Sequence, residues 1–167
     1  WKSYQKFWSD SRRNKAAELG LQPLDVISLA AIVQKETQKI DERKRVAGVY
    51  INRLKRKMLL QADPTVIYAM KLKHLNFDTI IKRVLYKDLK INSPYNTYLY
   101  NGLPPGPISM PDISCINAVL GAEQHSYLYF VANPEKPGYH LFAKNGSEHN
   151  KNKKIYTNWL DHNRVYR

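Results

Sequence analysis

The run Val26-Ile27-Ser28-Leu29-Ala30-Ala31-Ile32-Val33 constrains this chain more than any other stretch. It is apolar nearly all round. A helix with that pattern has no face to give to solvent, so it belongs at the buried centre of a fold. Its start is marked as well. Pro23 sits where a first helical position belongs, and Asp25 falls in the first turn, near the positive end of the helix dipole. The run is far shorter than the ~20 residues a bilayer core demands, so it predicts a core helix and not a membrane span.

Apolar spacing and turn residues place the other elements. Trp1, Tyr4, Phe7, Trp8, Ala16 and Leu19 stand among charges with Gly20 behind them, which predicts one amphipathic helix over 1–19 with a glycine stop. Asp41 is the expected N-cap of a helix whose stripe is Val46, Val49, Tyr50 and Leu54. Residues 58–62 are compatible with an extended segment, and Asp63-Pro64 suggests the cap and first-turn proline of a short helix through Met70. Residues 71–92 give only a mixed signal. Pro111 is expected to open a helix through Leu120. Residues 127–131 and 139–142, separated by Asn133, Pro134, Pro137 and Gly138, carry the signature of a hairpin. Ser147 can cap a last helix bearing Ile155, Trp159 and Leu160. Helices and a small antiparallel pair in separate blocks define an α+β fold, mostly helical. At 167 residues the expectation is one catalytic-size unit over 21–167, entered by the 1–20 helix from an upstream region.

Charge bounds the partners. Against 14 Asp+Glu stand 27 Lys+Arg, a net +13, while 43% hydrophobic residues are too many for a disordered polymer. Such a balance suggests an anionic partner: nucleic acid, acidic lipid or a carboxylate-bearing polymer. The basic residues come in short groups (Arg12-Arg13, Arg43-Lys44-Arg45, Lys55-Arg56-Lys57, Lys153-Lys154) spread from end to end, a pattern of solvated faces and not of one nucleic-acid groove. A lone cysteine, Cys115, forbids an intrachain disulfide and reads as a core thiol. The chain begins at Trp1 without a charged-then-apolar leader, so a targeting segment is expected upstream, and the residues do not specify a compartment.

Several catalytic templates are missing. There is no phosphate-cradling glycine loop, no G-x-S-x-G and no H-E-x-x-H, and the five histidines lack ligand spacing, so no metal site is expected. Glu36 is more informative. At i−3, i−4 and i−7 it has Val33, Ile32 and Leu29, so its side chain projects along the buried stripe. Desolvation and the negative end of the helix dipole both raise the pKa of a carboxyl there. A glutamic acid that keeps its proton near neutral pH is what acetal cleavage requires. The plainer reading is a rim glutamate paired with Lys35 or Lys39.

Two polar constellations could accompany it. Were 58–63 extended, Gln61 and Asp63 would share one face, with Thr65 close behind; the plainer alternative is an Asp63 cap and a Thr65 bond within the first turn. The segment Ser93-Pro94-Tyr95-Asn96-Thr97-Tyr98-Leu99-Tyr100-Asn101-Gly102-Leu103-Pro104-Pro105-Gly106-Pro107-Ile108 is longer than packed domains usually leave irregular. Residues 93–111 hold five of the nine prolines. Tyr95, Asn96, Thr97 and Tyr98 offer stacking faces with paired donors and acceptors on a pre-organised loop, the chemistry of a carbohydrate cleft.

Taken together these blocks resemble the endolytic murein transglycosylase (YceG-like) family. The marks are Leu29-Ala30-Ala31-Ile32-Val33-Gln34-Lys35-Glu36-Thr37, Val46-Ala47-Gly48-Val49-Tyr50-Ile51-Asn52-Arg53-Leu54 and Leu60-Gln61-Ala62-Asp63-Pro64-Thr65-Val66-Ile67-Tyr68. Ser93 to Ile108 follows, then Tyr127-Leu128-Tyr129-Phe130-Val131-Ala132, Gly138-Tyr139-His140-Leu141-Phe142 and Glu148-His149-Asn150. The order is kept from about Phe7 to Asn150. Ala62 and residues 71–90 look variable, and the basic charge is heavier than the family suggests.

The resemblance implies a reduced lysozyme-like transglycosylase core that cuts peptidoglycan strands internally between MurNAc and GlcNAc, with the catalytic glutamate at Glu36. Gln61, Asp63, Thr65, Tyr95, Asn96, Thr97 and Tyr98 are the candidates for holding sugars. It further implies no metal or organic cofactor, cell-wall synthases as candidate partners, and an extracytoplasmic site at the bacterial inner membrane. The family's N-terminal anchor and LysM-like part are not expected within this chain. An ordinary glycosidase needs two carboxyl groups; a lytic transglycosylase needs one, because the C6 hydroxyl of the reacting MurNAc is the nucleophile. A non-catalytic glycan-binding module and a hydrolytic muramidase are the alternatives, and a basic nucleic-acid binder ranks last.

Overall fold

Helix α3, Pro23–Glu36, runs through the middle of the molecule with Leu29, Ala30, Ala31, Ile32 and Val33 fully enclosed. The computed structural model describes residues 2–81 and 84–163. Burying a Leu, Ile or Val side chain stabilises by about 1.5–3 kcal/mol, so Val26, Leu29, Ile32 and Val33 are the main contributors along α3. Pro23 lies in the first turn, and Asp25 Oδ2 accepts from the Gln22 backbone N–H at 2.8 Å, closing the N-terminus as the sequence suggests.

Around α3 pack α4 (Arg43–Lys55) and α6 (Ile113–Leu120), with α5 (Asp63–His74) and α2 (Asp10–Glu18) more peripheral. Strands β1 (Tyr129–Ala132) and β2 (His140–Ala143) form an antiparallel hairpin in which Phe130 faces Phe142 and Ala132 faces His140. Helix α7 (Gly146–His162) lies against both strands. The α+β expectation and the hairpin hold, and residues 93–111 carry neither helix nor strand. Among the described residues no single helix is long and apolar enough to cross a bilayer; α2 and α3 meet that test only together, across a 73° bend.

Local departures from the sequence reading have physical causes. The amphipathic stretch over 1–19 is not one helix: α1 (Lys2–Phe7) ends and α2 restarts at an extended Ser9. Trp8, at the break, is 2% exposed and joins the core with Ala16. Arg12 Nη1 donates to Phe7 O at 2.8 Å and Arg13 Nε to Trp8 O at 3.0 Å, satisfying carbonyls the interruption frees. Trp1 lies outside the described residues. Asp41 does not cap α4. The cap position is Glu42, and Asp41 accepts instead from the Tyr139 hydroxyl at 3.1 Å. Helix α5 is capped at Ala62, not at Asp63, and runs beyond Met70 to His74. Helix α6 starts two residues after Pro111, with Asp112 at its cap, and α7 is capped by Asn145, whose side chain accepts from the Glu148 N–H, instead of by Ser147.

Gly48 marks a close approach. A Cβ there would stand 2.5 Å from Glu123 O and 2.6 Å from His125 Nε2, so only glycine lets α4 meet the 123–125 segment. Asn52, one turn on, donates its amide to His125 O at 2.8 Å and Tyr127 O at 3.0 Å. These contacts bring the hairpin over the C-terminal end of α3.

Candidate active site

Glu36 is the last residue of α3, half-buried on the wall of a cavity of about 260 Å³. Tyr50 on α4 donates its hydroxyl to Glu36 Oε1 at 2.7 Å. Removal from water pushes the Glu36 pKa up from 4.5 to about 7; the negative charge of Asp63 adds to the rise, while the Tyr50 hydrogen bond and the Arg53 charge oppose it. The rim-glutamate reading fails here. Neither Lys35 nor Lys39 pairs with Glu36, and Lys39 lies 5.1 Å from the ring centre of Tyr139. The cation that acts on Glu36 is Arg53.

Tyr50 and Arg53 were absent from the sequence-level candidates. Both are nearly inaccessible, at 2% and 8% exposure. Arg53 Nε donates to Leu128 O at 2.6 Å, and Nη1 donates to Leu59 O at 3.1 Å and Leu60 O at 2.9 Å. This guanidinium therefore ties α4, the turn before α5 and the edge of the hairpin together around the cavity. A signal existed for it. Val46, Tyr50 and Arg53 stand at i, i+4 and i+7, so the arginine occupies a position on the buried stripe of α4, where a charge is costly unless it has work to do.

Gln61 and Asp63 line the same cavity as Glu36, but not through an extended strand. Gln61 adopts a left-handed backbone (φ 53°) and its N–H donates to Thr97 O at 3.1 Å. The turn, not strand alternation, aims both side chains inward. Tyr98 completes that side: its hydroxyl donates to Asp63 Oδ1 at 2.5 Å, and burial followed by this bond raises its pKa. Phe130 from β1 and His149 from α7 line the opposite stretch, the latter also unforeseen. His149 stacks on Tyr129 at 5.0 Å, and burial, with Lys153 and Arg53 nearby, lowers its pKa and favours the neutral imidazole.

The remaining sequence candidates do not reach this cavity. Thr65 and Thr97 are enclosed, share a hydroxyl–hydroxyl bond at 2.8 Å, and are used by Ala62: Thr65 donates to its carbonyl and Thr97 accepts from its N–H. Asn96 is fully buried and donates to Leu89 O and Ile91 O while accepting from the Tyr98 N–H. Tyr95 packs on Tyr68 at 4.7 Å. These side chains pin the irregular strap to the Gln61–Asp63 turn, so that Tyr98 and Asp63 meet. Their bonds are spent internally, which corrects the expectation that Thr65, Asn96 and Thr97 present polar groups outward. No cluster of three or more ligating side chains occurs among the described residues.

A second buried carboxyl stands close in sequence. Glu42, 4% exposed, accepts from His140 N–H at 2.9 Å and shares a 2.7 Å contact with His140 Nδ1, and the Thr37 hydroxyl points to it at 3.4 Å.

The YceG-like family model matches residues 1–155. An endolytic murein transglycosylase from Bacillus subtilis is 41% identical over 152 residues, 91% of this chain and 38% of that protein. One from Streptococcus pneumoniae is 34% identical over 128 residues, 77% of this chain and 23% of that protein. The crystal structure of a YceG-like protein from Listeria monocytogenes matches with a TM-score of 0.71 at 41% identity, covering 83% of this chain and 43% of that one. The chain thus spans less than half the length of each of these relatives.

Proposed function

The chain belongs to the YceG-like family, and from that premise we propose that it cuts peptidoglycan glycan strands internally as a lytic transglycosylase, with Glu36 as the single acid and base. The observation that carries this reading is the carboxyl itself: at the wall of a cavity, held by Tyr50, with a pKa of about 7. Such a group is largely protonated in mildly acidic solution, keeps about half its protons at neutral pH, and becomes a competent base once its proton is given away.

In the first step Glu36 protonates the oxygen bridging MurNAc C1 to the next GlcNAc, and the C1–O bond breaks with the electron pair leaving on that oxygen. The C6 hydroxyl of the same MurNAc then bonds to C1, and the Glu36 carboxylate takes its proton. The product is a 1,6-anhydroMurNAc end; no water is consumed, and the carboxyl is restored to its starting state. The nucleophile is already tethered to the reacting ring, which supplies a proximity advantage that a free water lacks. Gln61, Asp63 and Tyr98 are the groups placed to hydrogen-bond sugar hydroxyl and acetamido groups; Thr65, Tyr95, Asn96 and Thr97 act by positioning them. This chemistry calls on no metal or organic cofactor. The reading also assigns work on the extracytoplasmic side of the inner membrane, on nascent strands, with cell-wall synthases as candidate partners.

Digestion of purified sacculi by the wild type and by Glu36→Gln, followed by mass spectrometry of the muropeptides, tests it. Anhydro ends from the wild type alone are expected. Reducing ends would point to hydrolysis with Asp63 as the second carboxylate, and sacculus binding without products would leave a glycan-binding module.

A further inference from the structure

Lys35 and Pro64 each follow or precede a carboxylate that lines the candidate catalytic cavity, yet both line a different one. This second cavity, about 280 Å³, is bounded also by Tyr68, Lys71, Phe77 and Ser109. The alternation matters. Glu36 and Asp63 face one cavity while their chain neighbours Lys35 and Pro64 face the other, so the two adjoin across the end of α3 and the start of α5.

The chemistries of the two differ. The first holds two carboxylates, and no acidic side chain lines the second. Tyr68 and Phe77 make an aromatic corner with ring centres 5.9 Å apart, and Tyr95 backs Tyr68 at 4.7 Å. Lys71 Nζ donates to Phe77 O at 2.9 Å, which holds its ammonium at the wall with further N–H groups to offer. Lys35 supplies a second, exposed ammonium. Ser109 Oγ is shielded from solvent and has no hydrogen-bond partner among the described residues. A ligand suited to this lining has an apolar body for the aromatic corner and a carboxylate for the lysines.

A glycan strand lying across Glu36 carries such a group. Its MurNAc rings bear short peptides through their lactyl carbons, with apolar alanine side chains, amides and free carboxylates. We propose that the second cavity receives the peptide stem of the strand engaged at Glu36, so that the enzyme favours peptide-bearing over denuded glycan. This rests on the reading of the first cavity as a transglycosylase site. A neutral GlcNAc ring would satisfy the aromatic corner but bring no carboxylate to Lys35 and Lys71, which favours the stem.

The test compares initial rates of anhydro-end formation on uncrosslinked peptide-bearing strands and on the same strands after amidase treatment. Wild type is expected to cut the peptide-bearing strands about threefold to tenfold faster at low salt, the range of one or two half-exposed charge contacts, and the ratio should shrink as salt is added. In the double variant Lys35→Gln/Lys71→Gln the ratio should fall to near one. Phe77→Ala tests the aromatic half separately and should also lower it. Equal wild-type rates on the two strands, faster cutting of denuded strands, or an unchanged ratio in these variants would overturn the stem subsite while leaving the Glu36 reading intact. No cutting of either strand by the wild type would overturn both.

Discussion

Glu36 and Glu42 flank the short connection between α3 and α4, and both are withdrawn from water, yet their surroundings give them opposite fates. Glu42 meets a backbone N–H, an imidazole nitrogen and a hydroxyl, all from elements it helps to hold together. Glu36 receives one hydrogen bond, from Tyr50, and its second oxygen has no donor among the described residues. A carboxylate whose oxygens are taken up by protein groups serves structure. One that is desolvated and left short of donors holds its proton and keeps an oxygen free for a substrate. Glu42 is the more deeply buried of the two, so it is donor count, not depth, that leaves Glu36 poised.

The largest effect is expected at Glu36. Replacing it by Gln keeps the shape and the Tyr50 contact but removes the acid, so cleavage of sacculi should fall by about 10³-fold or more. Stability should move the other way. The folded-state pKa of about 7 lies above the unfolded 4.5, so between these values the native state binds more protons than the unfolded one and stability declines as pH rises. Above pH 7 the full cost, roughly 3 kcal/mol, is present. Glu36→Gln should therefore melt higher than wild type at pH 8, with the gap closing as the pH falls below 4.5. Thermal melts over that range measure it, and a variant less stable at pH 8 would mean that Glu36 is paired and not poised.

Glu42→Gln should do the reverse. Its amide offers one acceptor oxygen in place of two, so it keeps fewer of the contacts to the His140 N–H, His140 Nδ1 and the Thr37 hydroxyl, and a buried polar group left unpaired costs about 1–3 kcal/mol. We expect a clear loss in chemical-denaturation midpoint with cleavage retained at temperatures where the variant is folded. If Glu42→Gln abolished cleavage at unchanged stability, the two carboxyls would have to exchange roles.

The fold was legible where one residue type permits one answer. The all-round apolar run of α3, Pro23 at its start and the Pro134–Gly138 punctuation of the hairpin leave few alternatives. Breaks were not legible, because they answer to tertiary demands: nothing local says that Trp8 must enter the core and interrupt a helix. The same holds in the site. Asn96 and Thr97 look like sugar-binding side chains in composition, but whether a short polar group faces a cavity or braces a loop depends on backbone partners that local pattern does not reveal: Leu89 O for Asn96, and for Thr97 the N–H of the sequence-distant Ala62. Gln61 reaches the cavity through a left-handed turn that strand alternation cannot suggest. Arg53 and Tyr50 were readable from their place on the α4 stripe, and the apolar residues around them hid the signal.

Tyr50→Phe is the smallest of these changes. The substitution leaves the ring, and with it the edge-on packing against Phe130 at 5.9 Å, and removes only the donor to Glu36 Oε1. Burial keeps the Tyr50 hydroxyl protonated far above neutral pH, so in the wild type it remains a donor throughout the working range. That bond stabilises the anion and lowers the Glu36 pKa. Without it the pKa rises above 7, and since the protonated carboxyl starts the reaction, the alkaline limb of kcat/KM should move to higher pH. Losing a fixed orientation of the carboxyl should also cost about tenfold in kcat, or about 1.4 kcal/mol of barrier. A purely structural tyrosine would lower the rate, if at all, without moving the limb. A limb displaced downward would mean that Tyr50 opposes ionisation of Glu36, and its single hydrogen bond could not be what steadies the carboxylate.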